Sequence, residues 1–271
     1  MSGRIMNARM YAVTPQVEAH WRELLAQVAR EADVDLAYLP YPAPEPLERL
    51  WSRPDLGAVL MCGYPIALGL APVVPLAAPI PRTAWAGGRA VYRTDLIVRQ
   101  DAPYRSLEDT FGGRAGFTVA HSHSGFNAFR HHLLAHRTPD RPRLYREMVG
   151  DLVTARRVLD AVRDGRIDLG PLDAYWHLLI ARSAPELTAG IRVLASTEVA
   201  PMPAFVAAAG TPQAVCSRLQ EALEAAPARP WFGRYREALQ IEGFARVERS
   251  TYAVLLDWDR DARAAGYDRP G

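Results

Sequence analysis

Residues 120–134 read Ala-His-Ser-His-Ser-Gly-Phe-Asn-Ala-Phe-Arg-His-His-Leu-Leu. The run follows a strand-like segment at 115–120 and opens a helical one. First-turn N–H groups have no intrahelical acceptor and carry the positive end of the helix dipole. Ser122 and Ser124 are N-cap types, and Gly125 lets another group come close to the backbone. A phosphate, phosphonate or carboxylate could take hydrogen bonds from both hydroxyls and from the N–H groups of Gly125 and Phe126. The same residues would equally make an ordinary helix cap.

Three tyrosines and one acid offer further contacts. Tyr64 stands in Cys62-Gly-Tyr-Pro65, at the carboxyl end of an unbroken apolar strand, where ligands of open α/β sheets collect. Tyr11, at the end of the first predicted strand, and Tyr92, in the first crossover, hold comparable places and could complete an aromatic wall. Each could also be a half-buried core tyrosine. Asp173 follows the predicted strand 167–172 and could accept from a ligand, cap the next helix, or do both.

Other chemistries fail on spacing. Five histidines lie between His121 and His136, with His132 and His136 at i, i+4, but Leu133 stands where a zinc hydrolase needs its glutamate. No metal site is assigned, and a solvated helix side explains most of the cluster. Ser124 lacks the flanking glycines of a nucleophile elbow, and no glycine-rich dinucleotide fingerprint occurs. No catalytic residue is assigned and no cofactor is expected.

Composition narrows the classes further. The 271 residues are 49% hydrophobic and 23% charged, ordinary for a packed globular protein. A formal charge of +2 is too balanced to make nucleic acid or a membrane the default partner. Every basic residue counted is Arg and none is Lys, which removes Schiff-base chemistry and the Walker lysine. Cys62 and Cys216 stand far apart with no C-x-x-C, so neither a disulfide framework nor a cysteine zinc site has support. The first ten residues lack the apolar stretch of a secretory signal; the chain as written is expected in the cytoplasm, or in the periplasm if a leader was removed. The charge-free stretch 56–81 is broken by five prolines and three glycines and reads as buried strands, not a membrane span.

The elements that must position these groups alternate. A strand at 5–13 leads through Thr14-Pro15 into an amphipathic helix with Val17, Trp21, Leu24, Leu25 and Val28 on one stripe. Strand and helix signals continue to about residue 208, followed by a largely helical tail over 212–264. This is α/β logic with helices on both faces of a parallel sheet. Extended segments at 87–99 and 190–209 are the expected crossovers. They make a discontinuous first lobe of residues 1–92 plus 196–271 and a second lobe of 93–195, with a ligand cleft between them.

In combination, Met61-Cys-Gly-Tyr-Pro65, the crossover at 88–98, Ser106-Leu-Glu-Asp109, His121-Ser-His-Ser-Gly-Phe-Asn127 and the run 165–173 resemble the substrate-binding components of phosphate, phosphite and phosphonate ABC transporters. The resemblance spans about residues 11–209 and implies the type II periplasmic-binding-protein fold. It further implies that Ser122, His123, Ser124 and Gly125 hold the anion, with Tyr11, Tyr64, Tyr92 and Asp173 shaping the rest. An ABC transporter permease is the partner it implies, with no nucleic acid and no membrane insertion. One departure stands out: family members often carry a His at the start of the helix after the strand at 145–149, where this chain has Val153-Thr-Ala155. The expected function is binding of a small anionic or zwitterionic ligand. The alternatives are an enzyme on the same fold, resembling those of menaquinone or thiamine-pyrimidine biosynthesis, with His123 and Asp173 as an acid–base pair, or a ligand-sensing module.

Overall fold

The computed structural model describes residues 3–271. The chain divides into two compact units, Met1–Tyr92 with Pro201–Ala253, and Arg93–Ala200 with Val254–Gly271. In chain order the first stretch holds β1 (Arg4–Asn7), α1 (Pro15–Glu31), β2 (Leu36–Tyr38), α2 (Leu47–Trp51), β3 (Leu56–Met61), α3 (Gly63–Leu68), β4 (Val73–Pro81) and β5 (Val91–Tyr92). Next come β6 (Thr94–Arg99), β7 (Arg114–Gly116), α4 (Ala128–Leu133), β8 (Glu147–Val149), α5 (Ala155–Arg163), β9 (Gly170–Asp173), α6 (Ala174–Ser183) and β10 (Ile191–Ser196). The chain closes with β11 (Ala200–Pro201), β12 (Ala204–Ala208), α7 (Gln213–Ala225), α8 (Gly233–Leu239), β13 (Ile241–Arg246) and α9 (Val254–Ala264).

The first unit is built on a six-stranded sheet in the order β13-β4-β12-β3-β1-β2. β1 pairs parallel with both β2 and β3, while β12 and β13 run antiparallel to their neighbours. The sheet is therefore mixed, not the parallel one expected. β3 is buried at all six positions, as a strand covered on both faces must be. Thr14 caps α1 through its hydroxyl and Pro15 opens it. The stripe of Val17, Trp21, Leu24, Leu25 and Val28 is fully in the core, and Trp21 meets Phe205 of β12 edge to face at 5.8 Å.

In the second unit β6 lies between β10 and β9, antiparallel to both, and β7 pairs parallel with β8. A hydrophobic cluster of Leu96, Val98, Leu107, Phe129, Leu133, Leu144, Tyr145 and Leu169 fills its centre, with Tyr267 from the chain's end packed in.

The tail departs from expectation twice. Ile241–Arg246 is an edge strand, not helix, because Gln240 ends α8 in a left-handed conformation at φ +50° and turns the chain back along β4. Residues 254–271 belong to the second unit, not the first, because α9 packs on α4 through Leu255, Trp258 and Ala262. The charge-free stretch is also not all strand: α3 occupies its middle, ended by Gly69 at φ +70°. No described helix is long and apolar enough to cross a membrane.

Candidate functional site

The helix start in the second unit is shaped by three short segments. β7 ends at Gly116, and the chain then runs through Phe117 and Thr118 to a turn in which Ser122 N–H donates to Val119 O. Ser122 is the N-cap: its hydroxyl accepts from Gly125 N–H at 3.1 Å. The turn that follows, His123–Asn127, is π-helical, with Asn127 N–H donating to Ser122 O at 3.0 Å and Ala128 N–H to His123 O. α4 and a 3-10 turn over Leu134–His136 then carry the helix on. The helical segment expected after the strand is thus three kinds of helix in sequence.

This register decides which amides are left over. In an α-helical first turn Phe126 N–H would donate to Ser122 O, four residues back. Here Asn127 has taken that oxygen, and neither Phe126 N–H nor Ser124 N–H donates to a described backbone acceptor outside the turn. The Ser124 hydroxyl is likewise uncommitted there, whereas the Ser122 hydroxyl is spent on the cap. Thr94, first residue of β6, donates its hydroxyl to Ser124 O at 3.1 Å and fixes the turn against the sheet.

Thr118 is a residue that sequence reading missed. Its N–H donates to Gly125 O at 3.2 Å, and its hydroxyl is buried beneath the turn with no hydrogen-bond partner. A Cβ on residue 125 would stand 2.0 Å from that hydroxyl, so only glycine fits. Thr118 also ties the turn to the segment before α5, since its carbonyl accepts from Val153 N–H at 3.4 Å. Thr154 N–H donates to Leu152 O at 2.7 Å across Val153, which stands at φ +66° as the centre of a γ-turn. A β-branched residue is strained there, and its exposed apolar side chain supplies no donor.

The predicted site residues fall into two groups. Ser122, Ser124 and Gly125 form the turn just described. His123 belongs to the same turn but is 1% exposed, with its ring 5.2 Å from that of Trp258. Burial, aided by nearby His131, lowers its pKa to about 3, so it is neutral and does not supply the near-neutral base that the enzyme alternative required. Asp173 ends β9 opposite Thr94 and accepts from the N–H groups of Tyr175 and Trp176 at 2.9 Å each, capping α6. Its carboxylate therefore does structural work whatever else it contacts.

Tyr11, Tyr64 and Tyr92 are buried residues of the first unit. Tyr11 follows β1 in a 3-10 turn and points its hydroxyl at Met202 Sδ, 4.0 Å away. Met202 N–H donates to Ala90 O, two residues before Tyr92, and Met202 O accepts from Tyr252 at 3.0 Å. α3, which carries Tyr64, packs on the 3-10 turn holding Tyr252. Tyr11 and Tyr64 follow the carboxyl ends of the parallel strands β1 and β3, and Tyr92 lies on β5.

The histidine cluster disperses into separate contacts. His131 stacks on Trp258 at 4.8 Å, and His136 meets Glu108 at 3.0 Å. No group of three ligating side chains converges among the described residues.

The family model for periplasmic substrate-binding proteins of phosphonate ABC transporters matches residues 12–252. The chain belongs to that family. No curated protein matches it. Among solved structures, a binding-protein component of an ABC phosphonate transporter from Pseudomonas aeruginosa superposes with a TM-score of 0.80 at 13% identity, covering 98% of this chain and 88% of that one. PhnD1 from Prochlorococcus marinus, solved with methylphosphonate, gives 0.76 at 12% identity, over 96% of this chain and 98% of that one. A Xanthomonas citri protein solved with ATP bound gives 0.65 at 21% identity, with 98% of both chains covered. The fold of this phosphonate-binding-protein family member is the two-lobed α/β arrangement of type II periplasmic binding proteins.

Proposed function

We propose that the chain binds a small phosphorus oxyanion, a phosphonate in the first place, at the start of the π turn. The observation that carries this reading is the π register, in which Asn127 takes Ser122 O from Phe126 and the Ser124 and Phe126 amides make no bond outside the turn, beside the open Ser124 hydroxyl. Three donors on one turn, at the positive end of a helix, match the oxygens of a tetrahedral oxyanion without any lysine. Family membership supports the ligand class, and a relative of the same fold was solved with methylphosphonate. Val153 adds to it: an apolar side chain beside the turn suits an oxyanion with a carbon substituent better than fully hydrated phosphate. In this reading the protein's partner is an ABC transporter permease.

Isothermal titration with methylphosphonate, 2-aminoethylphosphonate and inorganic phosphate tests the proposal. Saturable binding of a phosphonate, tighter than of phosphate, is expected. Silence with all three overturns it.

A further inference from the structure

The π register of the binding turn is held from outside the turn. Asn127, fully buried, donates its side-chain amide to Leu255 O at 2.9 Å and accepts at Oδ1 from Arg130 Nη2 at 3.0 Å. Arg130 is itself buried at 1% exposure and pairs with the Asp259 carboxylate through the same nitrogen. Its other terminal nitrogen donates to Asp268 O at 3.0 Å, and the guanidinium lies over the Phe126 ring at 5.1 Å. Asp259 takes a second bond from Arg263 at 2.9 Å. Leu255, Asp259 and Arg263 lie on α9, and with Asp268 they stand beyond the residues 12–252 that the family model matches.

We infer that Asp259 is a positioning residue for oxyanion binding: through Arg130 and Asn127 it holds residues 123–127 in the wide register that leaves the Phe126 amide to the ligand. The argument rests on the oxyanion reading above and adds a cause to it. A π turn is rare because its hydrogen bonds are poorer than those of an α turn, so it persists only where surroundings fix it. Here the fixing point is Asn127. Its main chain reaches back five residues to Ser122 O, and its side chain is bound at both ends to groups that α9 supplies or orders. An arginine this deeply buried needs its carboxylate in place, since an uncompensated charge in the interior is strongly unfavourable. Without Asp259, Arg130 must shift toward water and release Asn127. The turn then relaxes to the α register, and Phe126 N–H donates to Ser122 O in place of the ligand.

The test compares wild type with Asp259→Asn by methylphosphonate titration, together with amide hydrogen exchange at residues 126 and 127. In the wild type the Phe126 amide is expected to exchange fast when ligand-free and slowly when saturated, with Asn127 slow in both. Asp259→Asn is expected to lose tenfold or more in affinity while staying folded, with Phe126 slow before ligand is added. Asp259→Glu, which keeps the charge beside Arg130, should recover affinity to within about threefold. Should Asp259→Asn not fold, Asn127→Ser, which shortens the link, carries the same expectation. Wild-type affinity in the folded variant, or a wild-type Phe126 amide as protected without ligand as Asn127, overturns the inference. A wild type that binds no oxyanion overturns the functional reading instead, and a purely structural Asp259 would leave Phe126 exchange unchanged.

Discussion

Ser122 and Ser124 stand two residues apart on one turn, yet only the first spends its hydroxyl inside the protein, accepting from Gly125 N–H at 3.1 Å. Their substitutions should therefore separate. Ser122→Ala removes a cap and is expected to cost about 1 kcal/mol of stability, read by thermal or urea unfolding. Ser124→Ala should leave stability within about 0.5 kcal/mol and weaken methylphosphonate binding by about 1–3 kcal/mol, read by calorimetry. Equal effects of the two variants on both measurements would contradict this division of labour.

Thr94 links the first strand of the second unit to the same turn. Thr94→Val keeps the shape but leaves Ser124 O without its donor, at 3.1 Å in the native chain. The expected loss is about 1 kcal/mol in stability, with a parallel fall in oxyanion affinity because Ser124 is no longer anchored. Thr94→Ser, which keeps the hydroxyl, should bind as the wild type does.

The helix start and the capping role of Ser122 were legible in sequence because capping chemistry is local. So was the α1 stripe, which follows from hydrophobic spacing. The register of the turn was not legible. It depends on Asn127, Arg130 and Asp259, residues up to 132 apart in number whose meeting is set by tertiary packing. The burial of His123, placed at the anion through the family resemblance, was not legible either, because Trp258, whose ring lies 5.2 Å from it, is far along the chain. β13 was missed for a different reason: it is short, and only the left-handed Gln240 announces the reversal.

Gly125 and Thr118 form a coupled pair. Gly125→Ala would bring a methyl group to within 2.0 Å of the Thr118 hydroxyl, which cannot retreat because Thr118 is buried and bonded at both its N–H and its carbonyl. Overpacking of this kind costs about 1–3 kcal/mol. In the double variant with Thr118→Ala the hydroxyl and methyl are gone, and part of that loss should return. A double-mutant cycle by chemical unfolding measures the coupling, and additive effects would show that the two residues do not meet.

Val153 offers a test with the opposite sign. At φ +66° a valine bears strain of about 1–3 kcal/mol, which glycine relieves while losing about 1 kcal/mol to chain entropy. Val153→Gly is therefore expected to hold or raise the unfolding midpoint, whereas it should lower the preference for phosphonates over phosphate by removing the apolar side chain. A clear fall in stability would mean that the γ-turn is supported by packing of the valine itself.

Acid should unfold the protein partly through His123. In the folded state burial lowers its pKa to about 3, while in the unfolded chain it titrates at its ordinary 6.5. Between these values the unfolded state binds the extra proton, so the folded state's advantage is complete above pH 6.5 and is lost as pH falls toward 3. The slope contributed is up to about 1.4 kcal/mol per pH unit. His123→Phe keeps a ring against Trp258 and cannot titrate, so its stability should fall less steeply than that of the wild type between pH 6.5 and 4. Urea unfolding across that window measures the difference, and parallel curves would show that the imidazole takes up its proton without leaving its place beneath the turn.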